Sequence, residues 1–354
     1  MNIAIITQPL GHNIGGMLQN WALQLTLKEL GHQPVTLNYL NERKPGLKDM
    51  LRLHARNVRT LIRRMRGQFD RYKRVSDLQA SPDNMAFIKR EINVTEALAH
   101  YRPLDNIDAY IVGSDQVWRP RYNKQTLYDQ FLQFTGYLPV RRIAYAASFG
   151  TDRWEMTDEQ TAVCRRLASR FDAVSVREDS AVELCRTHLG CEPAVVLDPT
   201  LLPPASAYDS IISRKHDSDY TATYFLEVDT AKHRIAVESA QRLDCKLVDL
   251  NPYRTTPEDW LGRIRDSRFV VTDSFHGTVF AIIFHRDFIV VPNNKRGNGR
   301  LHSLLSLLGL QDRLVAGSDE LNDIMFRKID WEKTDRILDS MRAKSVTFIK
   351  DALS

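Results

Sequence analysis

The sequence has few cysteines and no long apolar run. Its four cysteines, Cys164, Cys185, Cys191 and Cys245, lack the CxxC or Cys/His spacing of a zinc or redox site. This pattern predicts reduced thiols in a cytoplasmic protein. No apolar run reaches the roughly 18 residues that a spanning helix needs, and no basic leader followed by a long apolar segment opens the chain. The sequence therefore predicts neither a membrane-spanning nor an exported protein.

Several catalytic motifs are also absent from the sequence. It contains no HExxH, no GxSxG and no carboxylate constellation of metal-binding type, and its first glycine-rich bend is neither GxGxxG nor a P-loop. These absences argue against a zinc protease, a serine hydrolase and a P-loop enzyme. We expect no metal and no cofactor in the chemistry.

The length and composition indicate an ordinary globular protein with more than one domain. The chain has 354 residues, of which 43% are hydrophobic and 26% charged, so the disordered and collagen-like classes are excluded. One hydrophobic core rarely serves a chain of this length, so we expect two domains.

Strand-like and helix-like segments alternate along the chain. Each strand runs into a polar or glycine-bearing bend, which is typical of a parallel α/β sheet. A polar segment from Pro203 to Asp219 interrupts this pattern, and the pattern then restarts. We predict an α/β fold of two Rossmann-like domains facing across a cleft, with residues 1–202 in the first, 203–330 in the second and 331–354 in a terminal helix.

The stretch FVVTDSFHGTVFAIIF, residues 269–284, combines polar residues with two buried apolar runs. We interpret it as a strand, a bend and a helix over residues 278–284, with Ser274 at the helix N-terminus and Gly277 permitting close approach. The free N–H groups of such a helix can bind an anion, and His276 would lie beside it. Alternatively, His276 only completes local hydrogen bonds.

Two bends of the first half carry candidate ligand-binding residues. GHNIGG contributes Asn13, Gly15 and Gly16 at a helix N-terminus suited to phosphate or a sugar hydroxyl, unless its glycines only make a tight turn. GSDQVW contributes two polar groups for sugar hydroxyls and an indole for stacking, although its carboxylate is also a common helix cap. These three residues are Asp115, Gln116 and Trp118.

Two basic segments offer cations to an anionic ligand. Arg177, in SVREDS, presents a bidentate fork at a strand end, with an ion pair to Glu178 or Asp179 as the alternative. PNNKRGNGR, residues 292–300, follows a strand and contains Lys295 and Arg300. It can close over a phosphorylated ligand or be only an exposed turn.

The segment from Leu51 to Arg74 predicts a basic amphipathic helix. Apolar residues recur at helical spacing among nine arginines and lysines. Its positive face suits anionic lipid or a lipid-linked, phosphate-bearing substrate. The alternative is a solvated arginine face on a helix that packs against its own domain. No aromatic-studded sheet or DNA-binding motif accompanies the charge, so we expect no nucleic-acid partner.

Several of these segments, in this order, resemble the polysaccharide pyruvyl transferase family: the first bend with LQNWALQ, then GSDQVW, SVRE, LDPTLL and TDSFHGTVFAIIF with the Lys295 loop. The resemblance covers residues 1–310. It implies a GT-B-like fold, with phosphoenolpyruvate as donor and a sugar diol of a cell-surface glycan or its lipid-linked precursor as acceptor. Some members carry a GxGP-like segment where this chain has YAASFG, residues 145–150.

The resemblance implies roles for the candidate residues. His276 becomes the proton-transfer residue, Arg177 and Lys295 the anion clamps, and Asp115 with Gln116 the groups that line the acceptor side. The second domain would bind phosphoenolpyruvate, and the enzyme would work in the cytoplasm, at the inner face of the membrane if the basic helix docks there. The alternatives are a GT-B glycosyltransferase that uses a nucleotide sugar and a non-catalytic glycan-assembly protein.

Overall fold

The structure is a computed structural model that describes residues 1–11, 13–39, 46–69, 81–251, 254–293, 297–317 and 321–354. Within these ranges the chain forms two separate parallel sheets, which use residues 2–195 and 220–290. Buried strands in both sheets are rich in Val, Ile, Ala and Tyr, as expected for strands covered on both faces. The predicted α/β fold with two Rossmann-like units is confirmed.

The first sheet has the strand order β2-β1-β3-β4-β5-β6, with every pair parallel. Its strands are β1 (Asn2–Ile6), β2 (Gln33–Thr36), β3 (Ala109–Val112), β4 (Arg141–Ala147), β5 (Ala173–Val176) and β6 (Ala194–Val195). Its helices are α1 (Ile14–Glu29), α2 (Leu47–Met65), α3 (Pro82–Glu91), α4 (Asp158–Ala168) and α5 (Asp179–Leu184).

The second sheet has the order β10-β9-β7-β8, again with every pair parallel. Its strands are β7 (Tyr220–Tyr224), β8 (Lys246–Asp249), β9 (Phe269–Thr272) and β10 (Asp287–Val290). The remaining helices are α6 (Ala205–Asp209), α7 (Thr230–Arg242), α8 (Pro257–Arg265), α9 (Phe275–Ile283), α10 (Gly299–Leu308), α11 (Leu321–Ile324) and α12 (Trp331–Leu353).

Each sheet has a point at which the strand order reverses. The reversal lies between β1 and β3 in the first sheet and between β7 and β9 in the second. In open α/β sheets, ligands bind outside the carboxyl ends of the strands at such points. The bends at residues 11–16, 113–118 and 273–277 follow β1, β3 and β9, so all three lie where a ligand is expected.

The terminal helix α12 returns to the first sheet. The Leu197 backbone N–H donates to Ser345 Oγ at 3.0 Å, and Arg342 Nε donates to the Leu201 carbonyl at 2.7 Å. Thus α12 stabilises the segment after β6, which carries Asp198. The predicted domain limits at residues 202 and 330 stay a prediction.

Two predicted elements differ from the structure. Helix α9 begins at Phe275 rather than at residue 278, because the Ser274 hydroxyl caps it by accepting from the Gly277 N–H at 3.3 Å. His276 and Gly277 therefore belong to the helix and not to the bend. The basic helix spans Leu47–Met65, and residues 70–74 of the predicted helix lie outside the described residues. No helix in the described part of the chain is long and apolar enough to cross a bilayer.

Candidate functional site

His276 lies between the two sheets, in the first turn of α9. Its side chain is buried, with 6% of its surface exposed, and its Nε2 lies 3.8 Å from Asp198 Oδ1. Nε2 has no hydrogen-bond partner within the described residues. A buried polar atom without a partner costs stability, so Nε2 is a candidate for contact with a ligand.

The N-terminus of α1 lies directly against the imidazole of His276. A Cβ atom placed on Gly15 would be 2.1 Å from His276 Nδ1 and 2.8 Å from His276 Cβ. Only glycine permits this approach. The bends GHNIGG and DSFHG, which are far apart in the sequence, thus meet at one point.

Replacing Gly15 by alanine should therefore displace His276. We expect Gly15→Ala to lower kcat by roughly 10²-fold, since a displacement of about 1 Å in a reacting group has that effect. Gly317→Ala is the matched control, because a Cβ on Gly317 would meet no atom within 4 Å and this glycine lies outside the site. Steady-state kinetics on both variants test this, and equal activity of the two variants would contradict it.

Asp198 is the centre of a buried hydrogen-bond network. Its Oδ2 accepts from Ser114 Oγ at 2.8 Å and from Arg177 Nη1 at 2.5 Å. Its Oδ1 accepts from the Thr200 hydroxyl at 2.6 Å and the Thr200 N–H at 3.1 Å, and faces His276. The sequence analysis did not identify Asp198 as a functional residue.

Arg177 joins three carboxylates beneath the site. Its guanidinium is fully buried and contacts Asp198, Asp115 Oδ1 at 3.2 Å and Glu178 Oε2 at 3.7 Å. It also stacks over the Phe275 ring, 4.7 Å from the centroid. The prediction of a free anion clamp is wrong for Arg177, because these carboxylates occupy the fork. Its position organises the site instead.

The charges of this network shift the pKa values of its members. Burial alone would raise the pKa of Asp198, but Arg177, His276 and the Thr200 hydrogen bonds lower it to about 2. The pKa of Asp115 is also lowered, since Arg177, His276 and Arg300 outweigh its burial. Both carboxylates are therefore anionic near neutral pH.

The pKa of His276 is lowered, although its acidic neighbours favour a raised pKa. Burial lowers this pKa below 6.5, and Asp198 and Asp115 offset that effect only in part. The resting imidazole is therefore neutral near neutral pH, with an unpaired Nε2 that can accept a proton.

Stability should depend on the Asp198 carboxylate in acid. Because its folded pKa is about 2 against 3.8 for an ordinary aspartate, its contribution is complete above pH 4 and is lost as the pH falls through 2. We expect Asp198→Asn to flatten that part of the plot of unfolding free energy against pH. Urea unfolding at several acidic pH values tests this, and parallel plots for both proteins would contradict it.

Arg300 supplies a second cation to the site. It lies in the first turn of α10, its Nε has no hydrogen-bond partner within the described residues, and its guanidinium carbon is 5.9 Å from the Phe275 centroid. Burial and the neighbouring Arg177 lower the pKa of Arg300 to about 10, so it stays protonated near neutral pH. Lys295, predicted as a second clamp, lies outside the described residues.

The loop before α10 touches the first domain. Gly297 has a left-handed φ of +80°, and a Cβ there would lie 2.9 Å from the carbonyl oxygen of Gly150. A Cβ on Gly299 would lie 3.5 Å from Ser180 Oγ, an oxygen with no partner among the described residues. Gly297 and the first residue of α10 therefore approach the first domain beside Arg300.

The GHNIGG and GSDQVW bends meet through Asn13 and Asp115. Asn13 Nδ2 donates to Asp115 Oδ2 at 3.2 Å, and Asp115 has a left-handed φ of 74°. Such a conformation is uncommon outside glycine and is frequent at functional sites. Asn13, Gly15, Gly16 and Asp115 thus gather near His276, as the predicted site requires.

Three of the predicted ligand-binding residues face the protein instead. Trp118 is fully buried, stacks on Phe131 at 4.9 Å and donates to the Gln130 carbonyl, so its prediction as a sugar-stacking ring is wrong. The Gln116 side-chain oxygen accepts from Arg119 at 2.9 Å. A Cβ on Gly277 would lie 2.3 Å from the Thr272 hydroxyl, so this glycine makes room for Thr272 rather than for a ligand.

Asp273 ties together several segments of the second domain, a role that its local sequence does not predict. It accepts from the Leu226 N–H at 2.6 Å, from Lys232 Nζ at 2.6 Å and from Asn293 Nδ2 at 2.8 Å. These bonds hold together the loops after β7, β9 and β10. These hydrogen bonds therefore hold in place the carboxyl edge of the second sheet, from which α9 and His276 follow.

A cavity of about 90 Å³ lies behind Arg177. Aliphatic side chains of β6, of the segment 196–201, and of α10 and α12 form most of its wall, and Asp179 and Asp198 add negative charge. It does not suit a multiply charged anion. Within the described residues, no group of three His, Cys, Asp or Glu side chains could hold a metal ion.

Comparison with protein families gives one match. The family described as polysaccharide pyruvyl transferase matches residues 13–295. This range contains residues 13–16 of the first bend, the GSDQVW bend, Asp198 and His276. No curated protein matches the chain.

Solved structures with the same overall shape are distant in sequence. LpCGTa in complex with UDP is 9% identical with a TM-score of 0.52, over 100% of this chain and 99% of that chain. UGT89C1 from Arabidopsis thaliana, complexed with UDP-L-rhamnose, is 10% identical with a TM-score of 0.48, over 97% and 99%. The similarity to LpCGTa supports the GT-B-like fold and nothing more specific.

Proposed function

The chain belongs to the polysaccharide pyruvyl transferase family and is a transferase, and from this premise we propose that it transfers the enolpyruvyl group of phosphoenolpyruvate to a sugar diol. The product is a cyclic pyruvate ketal, and phosphate is released. The observation that carries the proposal is that His276 and Arg300 share one site, while His276 Nε2 and Arg300 Nε make no hydrogen bond within the described residues. A proton carrier beside an anion-binding group is what this reaction needs.

The anionic donor would bind between His276 and Arg300. Phosphoenolpyruvate has a carboxylate and a phosphate, which Arg300 and the N-terminal N–H groups of α1 and α9 can receive. Lys295, on the loop that leads to Arg300, is proposed as a further clamp. Arg177 acts indirectly, since it holds Asp198 and Asp115 against the imidazole side.

His276 would give and then recover a proton in the first half of the reaction. As an imidazolium it gives its proton to the donor methylene, which becomes a methyl group, while the first sugar hydroxyl bonds to C2 and returns its proton to His276. The C2–O bond to phosphate then breaks. The second hydroxyl bonds to C2, and its proton leaves with the phosphate as hydrogen phosphate. Asp198 and Asp115 stabilise the imidazolium.

Donor binding should be accompanied by proton uptake. The resting imidazole is neutral because burial lowers its pKa, and the negative charge of phosphoenolpyruvate raises that pKa again. The donor should therefore bind more tightly as the pH falls from the pKa of His276 in the complex towards its lower pKa in the free protein. Calorimetry in two buffers with different ionisation heats measures this uptake. Equal uptake in His276→Asn would contradict the assignment.

Ligand-induced stabilisation discriminates the donors. Saturating phosphoenolpyruvate should raise the melting temperature by several degrees, whereas UDP-sugars should not change it. Arg300→Gln should abolish this stabilisation, and Arg186→Gln, at an exposed ion pair with Glu192, is the control. Stabilisation by UDP-sugars alone would favour the glycosyltransferase alternative.

The proposed acceptor is a cell-surface polysaccharide or its lipid-linked precursor. Asn13 and Asp115, on the first domain, would face its hydroxyls, and Gln116 stays a weaker candidate because Arg119 occupies its oxygen. We further propose that the enzyme works in the cytoplasm without a cofactor, as four free thiols and a reaction made only of proton and group transfers suggest.

A further inference from the structure

Helix α2 presents an apolar stripe to solvent. Seven large apolar side chains of α2 are between 42% and 79% exposed. At 3.6 residues per turn they fall within about 120° of the helix circumference. They are Leu47, Met50, Leu51, Val58, Leu61, Ile62 and Met65. We define these seven residues as the apolar stripe.

The helix contacts its own protein along a different, narrow line. Within α2 only Leu53 and Thr60 are buried, and they lie on a face away from the apolar stripe. The arginine face of α2 is solvated, as the alternative has it, but the apolar stripe is exposed and does not pack against the helix's own domain. An exposed apolar patch of this kind marks a contact with a partner or a membrane.

A row of arginines runs beside the apolar stripe. Arg52, Arg56, Arg59, Arg63 and Arg66 are exposed and occupy the sector next to it. An apolar face bordered by arginines is the arrangement of helices that lie in the plane of a membrane interface. The charge complements anionic lipid headgroups, and the stripe reaches the acyl boundary below them.

The C-terminal end of α2 is fixed to the second domain. The Phe69 N–H donates to Thr230 Oγ1 at 3.0 Å, and the Phe69 ring stacks on His233 with centroids 3.7 Å apart. Thr230 opens α7, which follows the carboxyl end of β7. The helix is thus held near the rim of the cleft rather than attached as a loose tail.

We propose that α2 is a docking surface for an anionic lipid bilayer. The apolar stripe inserts at the headgroup boundary, the arginine row binds lipid phosphates, and the cleft opens close to the membrane surface. This inference does not depend on the proposed reaction, because lipid binding can be measured without a donor or an acceptor.

Flotation with lipid vesicles tests the docking surface. The full chain should bind vesicles that contain phosphatidylglycerol, should bind pure phosphatidylcholine vesicles much more weakly, and should dissociate as salt is raised. Removing two arginines, as in Arg52→Gln with Arg59→Gln, should weaken binding roughly 25-fold, at about fivefold for each. Equal binding to both kinds of vesicle would overturn the role of the arginine row.

Variants of the apolar stripe complete the test. Leu51→Ser with Leu61→Ser should weaken binding at least tenfold, on the order of the transfer free energy of a leucine side chain. Tyr137→Ser with Phe326→Ser is the matched control, since both are exposed apolar residues elsewhere, and it should bind like the wild type. Indifference to anionic vesicles would overturn the proposal. The proposal would also be overturned if the wild type is a dimer and Leu51→Ser with Leu61→Ser converts it to a monomer. A second copy of the chain would then cover the apolar stripe.

Discussion

His276→Asn should lower kcat by about 10²-fold to 10⁴-fold, the range expected when a general acid–base group is removed. Asparagine fills part of the space of the imidazole but cannot carry a proton near neutral pH. The melting temperature should stay unchanged or rise, because Nε2 of His276 has no hydrogen-bond partner in the described residues and its burial is unfavourable.

The matched control is His285→Asn. His285 follows the same helix, lies at the surface and pairs with Asp335 at 3.0 Å, well away from the Asp198 network. Steady-state kinetics should show wild-type kcat for His285→Asn. If His276→Asn keeps more than half of the wild-type kcat, His276 does not carry the proton.

Arg177→Met should destabilise the folded protein by about 3–5 kcal/mol, the cost of leaving buried charges without their partner. Methionine preserves much of the volume beside Phe275 but removes the cation shared by Asp198, Asp115 and Glu178. Urea unfolding at neutral pH measures the loss. Arg186→Met, which breaks only the exposed pair with Glu192, should leave the unfolding midpoint unchanged.

The pH dependence of Arg177→Met should be reversed relative to the wild type. In the wild type, Asp198 has a folded pKa of about 2, so the protein loses stability as the pH falls. Without Arg177, burial raises the folded pKa above 3.8, so the variant should lose stability as the pH rises through that range. Equal pH slopes in the two proteins would show that Arg177 does not set the charge state of Asp198.

Local patterns were sufficient to predict the alternation of strands and helices. Apolar segments that end in glycine-bearing bends predict strands because this pattern lies within one short stretch of sequence. The alternation of such strands with helices predicts a parallel sheet. The start of α9 was placed three residues too late because the apolar run begins only at residue 278, whereas the Ser274 cap starts the helix at Phe275. The role of Asp273, which accepts hydrogen bonds from Lys232 and Asn293, follows from no local pattern.

The site was predicted only partly, since its members come from segments that are far apart in the sequence. The local sequence around Asp198 predicts a turn. Its place in the site depends on contacts with Ser114, 84 residues away, and with His276. Trp118 reads as an exposed ring at a strand end, but Phe131 and Gln130 cover it. His276, Asn13 and Asp115 were separate candidates in the sequence, and the structure brings them together because all three follow strand ends that meet at the cleft.

The most direct measurement of the central claim is acceptor-dependent phosphate release from phosphoenolpyruvate. The assay uses free and lipid-linked glycosides that present two hydroxyls within reach of a cyclic ketal, and mass spectrometry of the acceptor accompanies it. We expect phosphate release together with acceptor that has gained one pyruvate and lost one water, both abolished in His276→Asn. Failure of phosphoenolpyruvate to bind, with transfer of sugar from a UDP-sugar to the same glycosides, would contradict the account.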